Sequence, residues 1–104
     1  MTNFVLIYTG GGMPESEEKV AEVMAAWGAW YENLGAAIVD GGNPFGASKS
    51  VTDKGVSDGP IGSPPATGYT IISADSLDAA VAKVQNHPHL QYGGQVSVYE
   101  TFQM

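Results

Sequence analysis

The two histidines of this chain flank a proline, in His87-Pro88-His89. Imidazole changes charge near neutral pH, so a histidine in a loop suits proton transfer. His89, one step into the loop, is the candidate for that task. His87 sits at the end of a helix-like stretch, where it suits a cap on the last carbonyls and a place beside a ligand. A His-x-His pair also chelates metals, but such sites take three or four protein ligands, and only Asp40 or Asp58 stands in line to complete one. No metal is expected. Asp58 opens the Asp-Gly-Pro turn at 58–60, whose aspartate bonds readily to nearby backbone N–H groups. The same rigid placement suits a general base or the orienter of a histidine. Asp40 closes an apolar stretch, where burial raises a carboxylate's pKa, although a hydrogen-bonded strand end is the plainer role. Trp27, Trp30, Tyr69 and Tyr92 offer aromatic surface to an organic ligand. The tryptophans lie on an apolar helix stripe and serve a core first.

Other chemistries find no residues to use. The glycines at 10–12 lack the Gly-Lys-Ser/Thr ending of a phosphate loop, and no G-x-S-x-G elbow is present. There is no cysteine, so thiol catalysis, disulfides and zinc–thiolate sites are excluded. Eleven acids against four lysines, with no arginine, give a net charge of -7. Phosphate and nucleic-acid recognition depend on arginine forks and basic stripes, so neither nucleic acid nor an anionic membrane is an expected partner. No run approaches the roughly 20 apolar residues of a membrane span, and the start reads as no signal peptide. A cytoplasmic protein without a cofactor is expected.

At 104 residues the chain reads as one domain, 1–104. "FVLIY" at 4–8 is a strand, apolar on both faces. Pro14 with Glu15, Glu17 and Glu18 starts a helix, and Val20, Val23, Met24, Trp27, Trp30, Tyr31 and Leu34 form its stripe. Gly35 ends it. "AAIVDGG" is a second strand, and "SKSVT" and "GVS" pair as an exposed hairpin about "DKG". "GYTIIS" is a third main strand. Asp75 with Asp78 caps a second helix bearing Leu77, Ala80, Val81 and Val84, and Pro88 halts it. "QVSVYETF" is the last strand.

This β-α-β, hairpin, β-α-β order predicts a ferredoxin-like α+β fold, with both helices on one face of a four-stranded antiparallel sheet. The other face is then bare, yet the first and third main strands are apolar on both sides. A second copy covering it, in a two-fold dimer whose sheets enclose a barrel, is the expected solution; the 43–66 segment folding over the sheet is the alternative. Loops 9–14, 43–66 and 86–94 meet at one end of the sheet, and a pocket is expected there.

"WYENLGAAIVDGGNPFG", "DGP", "TGYTIISADSLDAAVAKVQNHPHL" and "GGQVSVYE" together resemble the YCII-related domain in its DGPF branch. Asp58, Gly59 and Pro60 match three signature letters, while Ile61 stands in place of Phe and the usual arginine near the end is missing. The resemblance implies a dimeric α+β barrel. It also implies, for some members, a His-Asp pair acting on small organic molecules. The family's helical histidine falls near Met24, so that pair is not carried over. The expected function is cofactor-independent acid–base chemistry, of isomerase or lyase type, with His89 moving the proton and Asp58 or Asp40 supporting it. The alternative is a non-catalytic barrel that binds a small molecule or regulates a partner.

Overall fold

The computed structural model describes residues 2–11, 16–62 and 64–102. Its elements are β1 (Thr2–Gly10), α1 (Glu17–Leu34), β2 (Ile38–Asp40), β3 (Lys49–Thr52), β4 (Gly55–Asp58), β5 (Ala66–Ala74), α2 (Leu77–Val84) and β6 (Gly94–Glu100). Two 3-10 turns, Gly35–Ala37 and Pro88–Tyr92, follow the two helices. The helix start expected at Pro14 and Glu15 lies outside the described residues. Within them, α1 is capped by Ser16, whose hydroxyl accepts from the Lys19 N–H at 3.2 Å while Glu17 and Glu18 fill the first turn. Gly35 ends the helix as expected, its N–H bonded to the Tyr31 carbonyl. The cap of α2 is Ser76 and not Asp75: the Ser76 hydroxyl accepts from the Ala79 N–H at 3.1 Å.

Strand order in the main sheet is β2-β5-β1-β6, and every neighbouring pair is antiparallel. This is the ferredoxin-like α+β arrangement, with β1 and β2 running one way and β5 and β6 the other. The hairpin forms a second, two-stranded sheet of β3 and β4.

Alternation along β1 and β5 sorts their side chains. Phe4, Leu6, Tyr8, Thr70, Ile72 and Ala74 are buried toward the helices and join Trp30, Ala80 and Val84 in the core. Val5, Ile7, Tyr69 and Ile71 face the other way and stay half-exposed. Only the C-terminal half of α1 is seated: Trp30 is buried, whereas Met24 is 69% exposed. The molecule is accordingly flat, 44 × 42 × 18 Å.

Candidate active site

Four hydrogen bonds run in series from the 3-10 turn after α2 to the end of β2. The His89 backbone N–H lies 3.0 Å from His87 Nδ1, and His87 Nε2 lies 3.0 Å from the Tyr8 hydroxyl. Tyr8 reaches Thr70 Oγ1 at 2.7 Å, and Thr70 reaches the Gly41 carbonyl at 3.1 Å. Both ends are fixed by chemistry, because a backbone N–H only donates and a backbone carbonyl only accepts. His87 therefore accepts at Nδ1, carries its proton on Nε2 and donates it to Tyr8. Tyr8 then donates to Thr70, and Thr70 to Gly41. Tyr31 adds a second bond to the same carbonyl at 2.9 Å. The chain is closed, with no member left unpaired.

Aromatic rings enclose this series. His87 is fully buried, with Trp30 at 4.3 Å and Trp27 at 4.5 Å between ring centres, and Tyr8 meets Trp27 edge-on at 5.2 Å. Burial in this apolar shell, assisted by nearby His89, lowers the His87 pKa from 6.5 to about 4. Burial likewise holds the Tyr8 phenol well above its ordinary range, outweighing the opposing effect of its bond to Thr70. His87 is thus a neutral structural imidazole. It does not cap the last carbonyls of α2; its side chain instead caps the following 3-10 turn by accepting the His89 N–H.

His89 is placed differently. Its ring is half-buried, and Nε2 lies 2.9 Å from the Thr9 carbonyl, which accepts the Nε2 proton. The lone pair therefore resides on Nδ1, the atom left to take a proton. Tyr8 stands 5.4 Å from this ring and Trp27 6.3 Å. The ring sits against bare backbone: a Cβ on Gly11 would lie 2.8 Å from His89 Cε1, and one on Gly94 would overlap the ring outright. Glycine at the end of β1 and at the start of β6 lets an imidazole lie over the strand ends.

The remaining sequence candidates divide among three places. Trp30 is core, its indole N–H donating to the Lys83 carbonyl at 3.0 Å. Trp27 is half-buried and joins Tyr8 and His87 to the exposed stretch of α1 around Met24. Tyr92 is half-buried at the end of the turn that carries His89. Asp40 and Tyr69 meet on the open side of the sheet, the Tyr69 hydroxyl donating to Oδ2 at 3.3 Å and the Gly42 N–H to Oδ1 at 2.8 Å. Phe45 stacks on Tyr69 at 5.8 Å. Asp58 lies on the hairpin, highly exposed and paired with Lys49 at 2.8 Å. All three places lie toward the end of the sheet where the long loops gather. The histidines are nevertheless on the helix side and Asp40 on the other, and the recorded partner of His89 is a carbonyl. The sequence reading did not find Tyr8, Thr70 or Tyr31. Nor did it find the glycines that admit His89, although Gly10-Gly11 and Gly93-Gly94 were a visible signal of close approach at two strand ends.

Two grooves flank this region. One of about 370 Å³ runs between α2 and β6, past Val81, Leu90, Val96 and Val98. The other, of about 720 Å³, lies between the hairpin and the start of β5. Neither of these two grooves is lined by a histidine.

No family model and no curated protein sequence matches the chain. Among solved structures it is similar to 5-chloro-2-hydroxyhydroquinone dehydrochlorinase from Burkholderia phenoliruptrix AC1100, determined in complex with 2,5-dihydroxybenzoquinone. Identity is 25% with a TM-score of 0.53, over 97% of this chain and 93% of that one. Among the described residues no helix is long and apolar enough to cross a membrane.

Proposed function

We propose that this chain is a cytoplasmic homodimer of the YCII-related, DGPF type, and a cofactor-independent acid–base enzyme acting on a small, neutral, hydroxylated ring. One observation carries the reading: His89 is held by the Thr9 carbonyl as its Nε2–H tautomer, which leaves Nδ1 as the proton acceptor beside an aromatic wall. Nδ1 takes a proton from the substrate's hydroxyl or ring carbon; return of that proton to another ring atom gives isomerisation, and departure of an anionic leaving group with its bonding pair, the proton passing on to water, gives elimination. Trp27 and Tyr92 line the approach and stack on a flat substrate. The surroundings named above carry no cation, so a carboxylate or phosphate ester gains nothing there, whereas a neutral ring does. The quinone bound by the dehydrochlorinase is likewise a small hydroxylated ring. Asp40 and Asp58 act one step away, Asp40 by fixing the end of β2 and Asp58 by holding the hairpin to Lys49.

The test uses hydroxyhydroquinones and 2,5-dihydroxybenzoquinone, followed by their visible absorbance and by quenching of tryptophan fluorescence. Wild type turns over or isomerises the ring, and His89→Gln still quenches but does not convert. Full conversion by His89→Gln removes the base from the mechanism. A second reading, a non-catalytic binding or regulatory barrel, is favoured by one fact: a carbonyl, not a carboxylate, orients His89. It predicts quenching by the same compounds with no conversion by either protein.

A further inference from the structure

We infer that the β3–β4 ribbon of each copy closes over the C-terminal end of β6 of a second copy, taking Tyr99 and Phe102 into the groove beneath it. This rests on the homodimer reading above and adds which segments hold the two copies together.

Among the described residues β3 and β4 pair as strands only with each other, and an isolated two-stranded ribbon is marginal in water. Val51 and Val56 are direct cross-strand partners on one ribbon face, yet they stand 72% and 64% exposed. Ile61, just beyond, is 75% exposed. Val51 and Ile61, together with Phe45, Pro60 and Pro65, line the groove of about 720 Å³, which is mainly apolar and large enough for two aromatic side chains.

The matching projections are at the other end of the sheet. Tyr99 alternates with half-buried Val96 and Val98, so it points to the open face, at 59% exposure. Phe102 is 83% exposed. They cannot reach the groove of their own chain. Glu100 pairs with Phe4 near the start of β1, while Ala66, at the groove, pairs with Thr9 near its end. The strand between spans on the order of 17 Å. Knob and hole at opposite corners of one sheet satisfy each other across a two-fold axis, which supplies two of each and closes.

Area also calls for this grip. The main-sheet strands project roughly 450 Å² on the open face, at about 3.3 Å per residue and 4.8 Å per strand. A stable interface buries about 800 Å² per partner. The sheet face alone falls short, and the ribbon with the β6 end supplies the remainder.

The chain has no cysteine, so an Ile61→Cys, Phe102→Cys double variant provides a clean probe. Mild oxidation is expected to yield a covalent dimer on a non-reducing gel, while either single variant stays uncrosslinked. Phe102→Ala, which removes an exposed ring and leaves the subunit's circular dichroism unchanged, is expected to weaken the dimer roughly a hundredfold in sedimentation equilibrium. A wild type that sediments as a monomer sinks the homodimer reading itself. A wild-type dimer that Phe102→Ala does not weaken, and that the double variant does not crosslink, overturns the grip while the dimer stands. A ladder of crosslinked polymers overturns the closed two-fold.

Discussion

Tyr8 shows how much one hydroxyl carries in this fold. It accepts from His87 and donates to Thr70, both fully buried; the Tyr31 hydroxyl also lies 3.4 Å from Thr70 Oγ1, whereas Tyr8 is the recorded partner of His87 Nε2. Tyr8→Phe keeps the ring and its edge contact with Trp27 but strands a buried imidazole N–H. A loss of about 1–3 kcal/mol is expected in urea unfolding, the cost of a buried group left unpaired. Thr70→Val should cost a similar amount by stranding the Tyr8 hydroxyl, and the double variant should cost less than the sum of the two. Additive losses would show that the two bonds do not act as one series. Gly94→Ala tests the other histidine. Its methyl overlaps the His89 ring, so it should displace the proposed base, lowering turnover while the Tyr8–His87 series keeps its bonds. Rates equal to wild type would show that the ring's seat over the strand ends is irrelevant.

At the scale of elements, the caps distinguish what was legible in the sequence from what was not. Both helices, their apolar faces, the four main strands and the hairpin follow from periods of 3.6 and 2 and from Gly and Pro punctuation, all of them local signals. The cap of α2 was misplaced because Asp75 is a strong cap former beside a serine, Ser76, that holds the better geometry. Ser76→Ala is expected to cost about 1 kcal/mol, and Asp75→Ala only a few tenths. Amide exchange in the first turn of α2 reads the difference, and equal costs would return the cap to Asp75. The site resisted sequence reading for another reason. His87 and His89 are two residues apart and alike in type, yet Tyr8, nearly 80 positions away, seals one while Thr9 holds the other at the surface. Such pairings arise only when β1 meets the turn after α2, and no local period records that meeting. Asp58 shows the converse: the turn is where the residues placed it, but the hairpin carries it to Lys49 and away from the histidines.

At the scale of the whole molecule, sealing the His87 imidazole is expected to make the fold acid-sensitive. In the folded state His87 protonates near pH 4, and in the unfolded chain near 6.5, its ordinary value. Between those values the unfolded chain binds the extra proton, so acid draws the equilibrium toward unfolding. The stabilisation from keeping His87 neutral is fully present above about pH 6.5 and is lost as pH falls toward 4, on the order of 3 kcal/mol in all. Among the described residues no carboxylate contributes to the shift of His87. Tyr8 faces the ring from β1, Trp27 and Trp30 from α1, and His89 from the 3-10 turn. A proton on Nδ1 would also set two donors face to face, since that atom accepts the His89 N–H. The expected course is therefore ordered: the turn carrying His89 loosens first, and global unfolding follows. In urea titrations the midpoint should fall steeply from pH 6.5 to 4.5 in wild type, and His87→Gln should flatten that slope while lowering stability at pH 7. A wild-type stability that is level across the interval would mean that His87 takes up its proton as readily in the fold as in the unfolded chain, and the bond from the His89 N–H to Nδ1 would have to be given up.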